Sequence, residues 1–442
     1  MLELNRRELL RIGALSVLGT STGASSRAIG SEGGNGGGGS ANQAVFIMLQ
    51  GGASHLDLWD PKPQAVEEIR GPFRSIPTSI PGVRLGELMK HTARIADKIT
   101  IIRSMSHKFT NHIAGTYVTM TGSDNQPDRD REAHSDDFPG PGAILNHLQT
   151  TTPTVPVSVS LPNWLSIPGP SNRMPGQYGG FLGSTNDPFV VEGDPGGKDY
   201  NPLSLKLPDG VTSSRLSDRL SLTKQLDHAA RKLEKQNGAR MDALRQSAFD
   251  LIVDGRVRKA LEIDREPAAV RDRYGRSKIG QSLIVARRLI EAGVQLVSYN
   301  AFNQRWDTHS SIEKTYNKIV PPMEQAYAAL VADLDERGLL DTTMVVNAGE
   351  FGRTPSINQN AGRDHWPNVY SISMAGGNVN RGFIYGASDN TGSEVAEAAV
   401  HPADVLATLW QHLDHSPRST IHDRLGRPHR ISEGNVIEGI LG

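Results

Sequence analysis

The sequence predicts a layered α/β fold built on a largely parallel central sheet. Two observations predict it. Short, continuously apolar runs alternate with segments of helical spacing, as in βαβ units. Four of those runs, Val45–Leu49, Ile99–Ile102, Val294–Tyr299 and Met344–Asn347, are followed within about ten residues by Asp, Glu or His. In an open α/β sheet, ligands gather beyond the carboxyl ends of the strands. Carboxylates and imidazoles collected there are what a divalent metal requires.

Taken in order, Met1–Ser40 reads as an export segment. Asn5-Arg6-Arg7-Glu8-Leu9-Leu10-Arg11 resembles a twin-arginine (Tat) motif, Ile12–Gly19 is a short apolar stretch, and small residues follow. Gly30–Ser40 is a glycine-rich linker. Val45–Leu49 is expected as a buried parallel strand, Leu85–Lys98 as a helix, Ile99–Arg103 as a strand and His112–Gly122 as a helix. Residues 123–213 are rich in Gly, Pro, Asp and Asn and read as a loop-rich insertion, with one short strand at Val155–Ser160. Residues 214–264 read as a polar helical insertion broken near Asn237-Gly238. Ile279–Ala292, ended by Gly293, feeds the strand Val294–Tyr299. Met323–Arg337, ended by Gly338, feeds Thr343–Asn347. Val369–Met374 is a further strand, and Pro402–Leu413 a late helix with proline in its first turn.

At 442 residues, one large domain with insertions or two domains are expected for the part from 41 to 442. A net charge of -1 offers no electrostatic case for nucleic acid. The absence of Cys excludes disulfides, thiolate metal sites and a cysteine nucleophile. No apolar stretch reaches about 20 residues, so no stable membrane span is expected. The export reading places the protein in the periplasm or outside the cell. Changing both Arg6 and Arg7 to Lys is expected to leave uncleaved precursor in the cytoplasm. Cell fractionation checks this, and secretion at the wild-type level would remove the twin-arginine assignment.

The chemistry-bearing residues are few. Asp57 and Asp60 follow the turn Gly51-Gly52, and each is either a metal ligand or a turn cap. Asp307-Thr308-His309 puts two ligands on one face of an extended segment. Glu350 follows the Met344–Asn347 run, with Arg353 three residues on to meet an anion or a carboxylate. Asp364-His365 is set among Gly, Arg, Trp and Pro. The predicted metal set is Asp57, Asp307, His309, Glu350 and His365, holding a divalent ion such as Zn, Ca, Mg or Mn. The chain has no phosphate loop and no His-Glu-x-x-His.

Gly51–Pro63, Asn111-His112 through Thr121-Gly122, Trp306–His309, Gly349–Pro355 and Gly362–Pro367 together resemble the DUF1501 family, which is similar to the alkaline phosphatase and sulfatase superfamily. The resemblance implies an alkaline phosphatase-like α/β/α sandwich, with metal at the strand ends and Asp57 as the ligand closing the first strand. It implies a nucleophile opening the helix that ends at Thr121-Gly122. His112 stands there instead of Ser, Thr or Cys, as nucleophile, metal ligand or general acid, with Thr110 or Thr116 as substitute hydroxyls. As the first residue of its helix, His112 is expected to have a depressed pKa and to face an anion drawn to the helix N-terminus. Two functions are expected on these grounds. One is a metal-dependent hydrolase of phosphate or sulfate esters, small or polysaccharide, with His112 and Arg353 as catalytic groups. The other is a secreted binding or scaffold protein that keeps the fold without turnover.

Overall fold

The computed structural model describes residues 42–150, 155–166, 173–198, 200, 255–300 and 304–442. The strands that position the site are β1 (Gln43–Met48), β2 (Ile99–Met105), β3 (Ser158–Leu161), β4 (Phe189–Val190), β5 (Leu296–Asn300), β6 (Thr343–Ala348), β7 (Gly352–Arg353), β8 (His365–Trp366), β9 (Tyr370–Ala375) and β10 (Phe383–Tyr385). Eight of them form one sheet in the order β10-β2-β9-β6-β1-β5-β3-β4, while β7 and β8 pair as a separate hairpin. Strand β9 runs antiparallel to both its neighbours, and every other pairing in the sheet is parallel. The expectation of a largely parallel sheet is borne out.

Strand β1 lies at the centre, with Val45 paired to Val297 of β5 on one side and to Val345 of β6 on the other. All six of its residues are buried, which explains a run of Gln-Ala-Val-Phe-Ile-Met without alternation: both faces meet helices. Val45 and Ile47 join one core, and Ala44, Phe46 and Met48 join the other. The helices used below are α1 (His112–Thr121), α2 (Pro141–Leu148), α3 (Lys278–Glu291), α4 (Ile312–Glu336) and α5 (Pro402–His412). The first core takes Leu283, Ile284 and Leu289 of α3 with Tyr316, Met323 and Tyr327 of α4. The second takes Ile113 of α1, Ile144 of α2 and Leu406 and Trp410 of α5. The result is the expected α/β/α sandwich.

Three expectations need correction. Helix α4 begins at Ile312 and runs through Pro321 and Pro322. Buried Ile312, Tyr316 and Val320 continue the apolar face of Met323 and Tyr327, so packing outweighs the two missing amide donors. The stretch 85–98 is no single helix. Leu85 is used in a hairpin against Ile76, leaving Lys90–Arg94 and a 3₁₀ turn at Ala96–Lys98. Inside the insertion, helix α2 starts on Pro141. Of the expected 214–264 helices, only the part from Gly255 lies within the described residues, and it holds the short helix Gly255–Leu261. The export segment also lies outside them. Among the described residues, no helix is long and apolar enough to cross a membrane.

Glu324 of α4 accepts hydrogen bonds from the His91 and Thr92 amides, at 2.8 and 2.9 Å, capping the short helix there. Burial pushes its carboxyl up to about 7, against the lowering effect of those amides. The folded chain therefore keeps a proton that the unfolded chain releases near 4.5, so this group costs stability as pH rises from 4.5 to about 7. Relative to Glu324→Gln, the wild type is expected to lose on the order of 1–3 kcal/mol between pH 5 and pH 8. Thermal melts at the two pH values check this. Equal pH responses would show that the carboxyl is already ionised at pH 5.

Candidate metal centre

The carboxyl ends of β1, β2, β5 and β6 point to one edge of the sheet, and the loops beyond them supply the centre. After β2 the chain enters α1, whose start is fixed by Asn111: its side-chain oxygen accepts from the Ile113 and Ala114 amides. That cap places His112 in the first turn, facing the loop after β6. There the Glu350 Oε1 accepts from His112 Nδ1 at 2.7 Å and from the Gly51 amide at 2.7 Å.

The segment carrying Asp307 and His309 is wedged between two glycines. A Cβ on Gly51, whose φ is +116°, would lie 2.5 Å from the Asp307 nitrogen. A Cβ on Gly362 would lie 2.3 Å from the His309 carbonyl carbon. Gly51 thus makes its close approach to the chain's own 304–307 loop. Hairpin β7–β8 completes the centre, with His365 directly opposite Arg353.

Three imidazoles converge on one carboxylate. His112 Nε2 is 3.3 Å from Asp307 Oδ2, His309 Nε2 is 3.1 Å from Asp307 Oδ1, and His365 Nε2 is 3.3 Å from the same Oδ1. Donor atoms of His112, Asp307 and His365 all lie within 4.8 Å of one another. Each Nδ1 faces outward to an oxygen: Glu350 for His112, Asp364 Oδ1 at 2.6 Å for His309, and the Thr110 carbonyl at 2.6 Å for His365. Buried Phe351 backs the rings, 5.0 Å from His112 and 4.6 Å from His365 between centroids. The buried Oε2 of Glu350 has no hydrogen-bond partner. Inward-facing nitrogens around a carboxylate, with outer acceptors fixing each ring, fit a divalent cation. On the open side, the His309 side chain is 47 % exposed.

Electrostatics follow from this crowding. Burial favours the neutral Asp307 carboxyl, but hydrogen bonds from His112 and His365 and the charge of Arg353 hold it well below the usual carboxylate range. Burial would likewise lower the His112 pKa, yet hydrogen bonds to Asp307 and Glu350 raise it to about 9. The depressed value expected from the helix N-terminus is overturned, because two carboxylates beside the ring outweigh one turn of helix dipole.

The family profile described as "Protein of unknown function (DUF1501)" matches residues 41–441. The chain belongs to the DUF1501 family. No curated protein matches it. Among solved structures, this DUF1501 chain is similar to Ps i-CgsB in complex with k-i-k-neocarrahexaose, with 12% identity, 86% of this chain and 73% of that chain covered, and a TM-score of 0.39. It is similar to the PsFucS1 sulfatase from Pseudoalteromonas sp., with 10% identity, coverage of 85% and 68%, and a TM-score of 0.38. It is also similar to the phosphonate monoester hydrolase SpPMH from Silicibacter pomeroyi, with 11% identity, coverage of 91% and 76%, and a TM-score of 0.30.

The DUF1501 motifs divide into residues at the centre and residues that hold it. Asp307, His309 and His365 stand together at the centre, with Glu350 immediately behind His112. Asp57, expected as a ligand, is not with them. Its carboxylate accepts from Ser54 Oγ at 2.5 Å and from Arg363 Nε at 2.8 Å, and both members of that ion pair have side chains at 0 % exposure. Arg363 takes the lone pairs that a metal would need. Asp60 is likewise engaged, by Lys62, Arg103 and the Ser388 hydroxyl.

Arg353, expected to neutralise a substrate anion, is fully buried. Its guanidinium donates to the carbonyls of Gly51, Gly52 and Arg363 and, at 2.7 Å, to Asp307 Oδ1. It orients Asp307 and ties β7 to the Gly51-Gly52 turn. The anion site expected at the start of α1 is also taken, since Asn111 occupies the Ile113 and Ala114 amides. Of the substitute hydroxyls, Thr110 Oγ1 donates to Asp128 at 2.8 Å, while the fully buried Thr116 hydroxyl has no hydrogen-bond partner.

His107 is a participant that the sequence reading misses. Its Nε2–H donates to the Glu350 carbonyl, its Nδ1 accepts from the Phe109 amide at 3.1 Å, and burial lowers its pKa to about 4. A neutral ring of fixed tautomer thus holds the backbone that carries Glu350. Its only signal in the sequence is its position between β2 and α1.

Proposed function

We propose that this DUF1501 chain is an exported, metal-dependent hydrolase of phosphate or sulfate esters. The observation that carries the reading is the convergence of His112, Asp307 and His365 within 4.8 Å at the carboxyl edge of the sheet. A cation bound there would polarise an ester oxygen and lower the pKa of attacking water.

The chain's own residues hold that arrangement. Asp307 supplies the central negative charge, and Arg353 fixes its orientation from the buried side. Glu350 accepts a hydrogen bond from the Nδ1–H of His112, so the Nε2 of that ring faces inward. Phe351 excludes water from behind. With Thr110 bonded to Asp128 and Thr116 buried, water is the nucleophile in this reading, and His112 is a ligand more readily than an attacking group. The open side at His309 admits an ester on a small molecule or on a polysaccharide. Export rests on the N-terminal pattern of Arg6-Arg7 and the apolar run that follows.

One observation favours a second reading, a binding protein without turnover: Arg353 is committed to Asp307 and to backbone carbonyls, leaving the metal alone to meet substrate charge. Purified protein, assayed with aryl phosphates and aryl sulfates before and after chelation, separates the two. Turnover lost on chelation and restored by metal supports the hydrolase. Stoichiometric metal with no turnover of either ester class supports the binding protein.

A further inference from the structure

We infer that the centre is a selective site for one borderline transition-metal ion, held by the three imidazoles of His112, His309 and His365 and the Asp307 carboxylate, and that it rejects calcium and magnesium. This rests on the metal-dependent reading above and adds the class of ion.

The outer hydrogen bonds decide which nitrogen each ring presents. A backbone carbonyl only accepts, so the contact of His365 with the Thr110 oxygen puts a proton on Nδ1 and a lone pair on Nε2. A carboxylate oxygen also accepts, so the contacts with Asp364 and Glu350 put a proton on Nδ1 of His309 and of His112 and turn both Nε2 atoms inward. The Nε2 atoms of all three rings therefore face inward, and a bound cation would displace the proton that His112 Nε2 shares with Asp307 in the metal-free chain.

Two of them meet closely: His309 Nε2 and His365 Nε2 are 2.9 Å apart. A cation shared by the two nitrogens would replace that single contact with two bonds. Asp364 is held in turn by the Asn358 amide, so the outer shell of His309 is itself ordered. Histidine ligands oriented by carboxylate or carbonyl partners are the ordinary device for fixing such a site.

The donor count then selects the ion. Calcium takes six to eight oxygens and magnesium an octahedron of oxygens, largely water. Here three of four inward donors are nitrogen. Asp57 and Asp60, which would add hard oxygens, are locked by Arg363 and by Arg103 and Lys62. Imidazole suits zinc, copper, iron and nickel, and affinity rises from manganese(II) towards zinc.

The test uses the mature protein stripped with chelator, incubated with equimolar zinc, manganese(II), calcium and magnesium, desalted and analysed for metals. The expected result is about one zinc per chain, with calcium and magnesium each at least about tenfold lower. Cobalt(II) loading should give visible ligand-field absorption that His309→Ala and His365→Ala each abolish. His134→Ala, on an exposed histidine elsewhere, should leave it intact. Asp364→Ala, which removes only the outer partner of His309, should weaken zinc retention by about 10–100-fold while leaving the melting curve of the metal-free protein unchanged. Stoichiometric calcium or magnesium without zinc would overturn the inference, as would wild-type zinc retention in both His309→Ala and His365→Ala. Bound zinc without ester turnover would remove the hydrolase reading and leave this one standing. Turnover supported by calcium or magnesium alone would do the reverse.

Discussion

Replacing His365 with alanine is expected to reduce bound metal to less than about a tenth of wild type and ester turnover by about a thousandfold, the equivalent of roughly 4 kcal/mol of lost transition-state stabilisation. The size of the effect comes from position. His365 Nε2 faces both Asp307 Oδ1 and His309 Nε2, so its removal opens the middle of the donor set. Folding should survive, because the residue sits half-buried on a two-residue strand whose pairing is made by backbone. Elemental analysis beside a far-UV spectrum and a melting curve checks this. A folded variant with full metal would show that His365 is no ligand.

Replacing Arg363 with alanine is expected to cost about 3–5 kcal/mol of stability, because it removes the buried ion-pair partner of the Asp57 carboxylate. Arg363 also donates to the backbone oxygens of Ile69, Thr354 and Pro355, so two further segments lose an anchor together. Asp57→Asn is the milder partner experiment. It keeps the shape and some hydrogen bonds to Ser54 and Arg363, and its folded fraction should hold metal like the wild type. Chemical denaturation and metal analysis read the two effects separately. Loss of metal from a stably folded Asp57→Asn variant would return Asp57 to the ligand set.

Much of the fold is legible in the sequence because backbone demands leave local marks. The unbroken apolar run of β1 marks a strand covered on both faces, and Gly293 and Gly338 mark the ends of helices feeding β5 and β6. Helix α4 hides its first part because Pro321 and Pro322 break the local rule while the buried Ile312, Tyr316 and Val320 hold the turn from a distance. In the same way, the 85–98 segment reads as helical until Leu85 is claimed by a hairpin partner.

The centre was legible as a place more than as a set of roles. Asp307, His309 and His365 follow strands and do gather, as their positions implied. Asp57 and Arg353 follow strands too, but Arg363 neutralises the first and Asp307 with backbone carbonyls engages the second. Nothing local distinguishes a carboxylate that will meet a metal from one that will meet an arginine 306 residues away. The His112 pKa shows the same limit. Its helix position argues for a lower value, while Glu350, 238 residues on, decides the matter in the other direction.

The central claim is tested most directly by an anomalous-difference map from crystals grown with zinc and measured on both sides of the zinc absorption edge. One peak is predicted among His112 Nε2, His309 Nε2, His365 Nε2 and the Asp307 carboxylate, at about 2.0–2.2 Å from each bound atom. Absence of a peak there at full zinc saturation, or a peak on Asp57 or Asp60 in its place, would contradict the assignment of this centre.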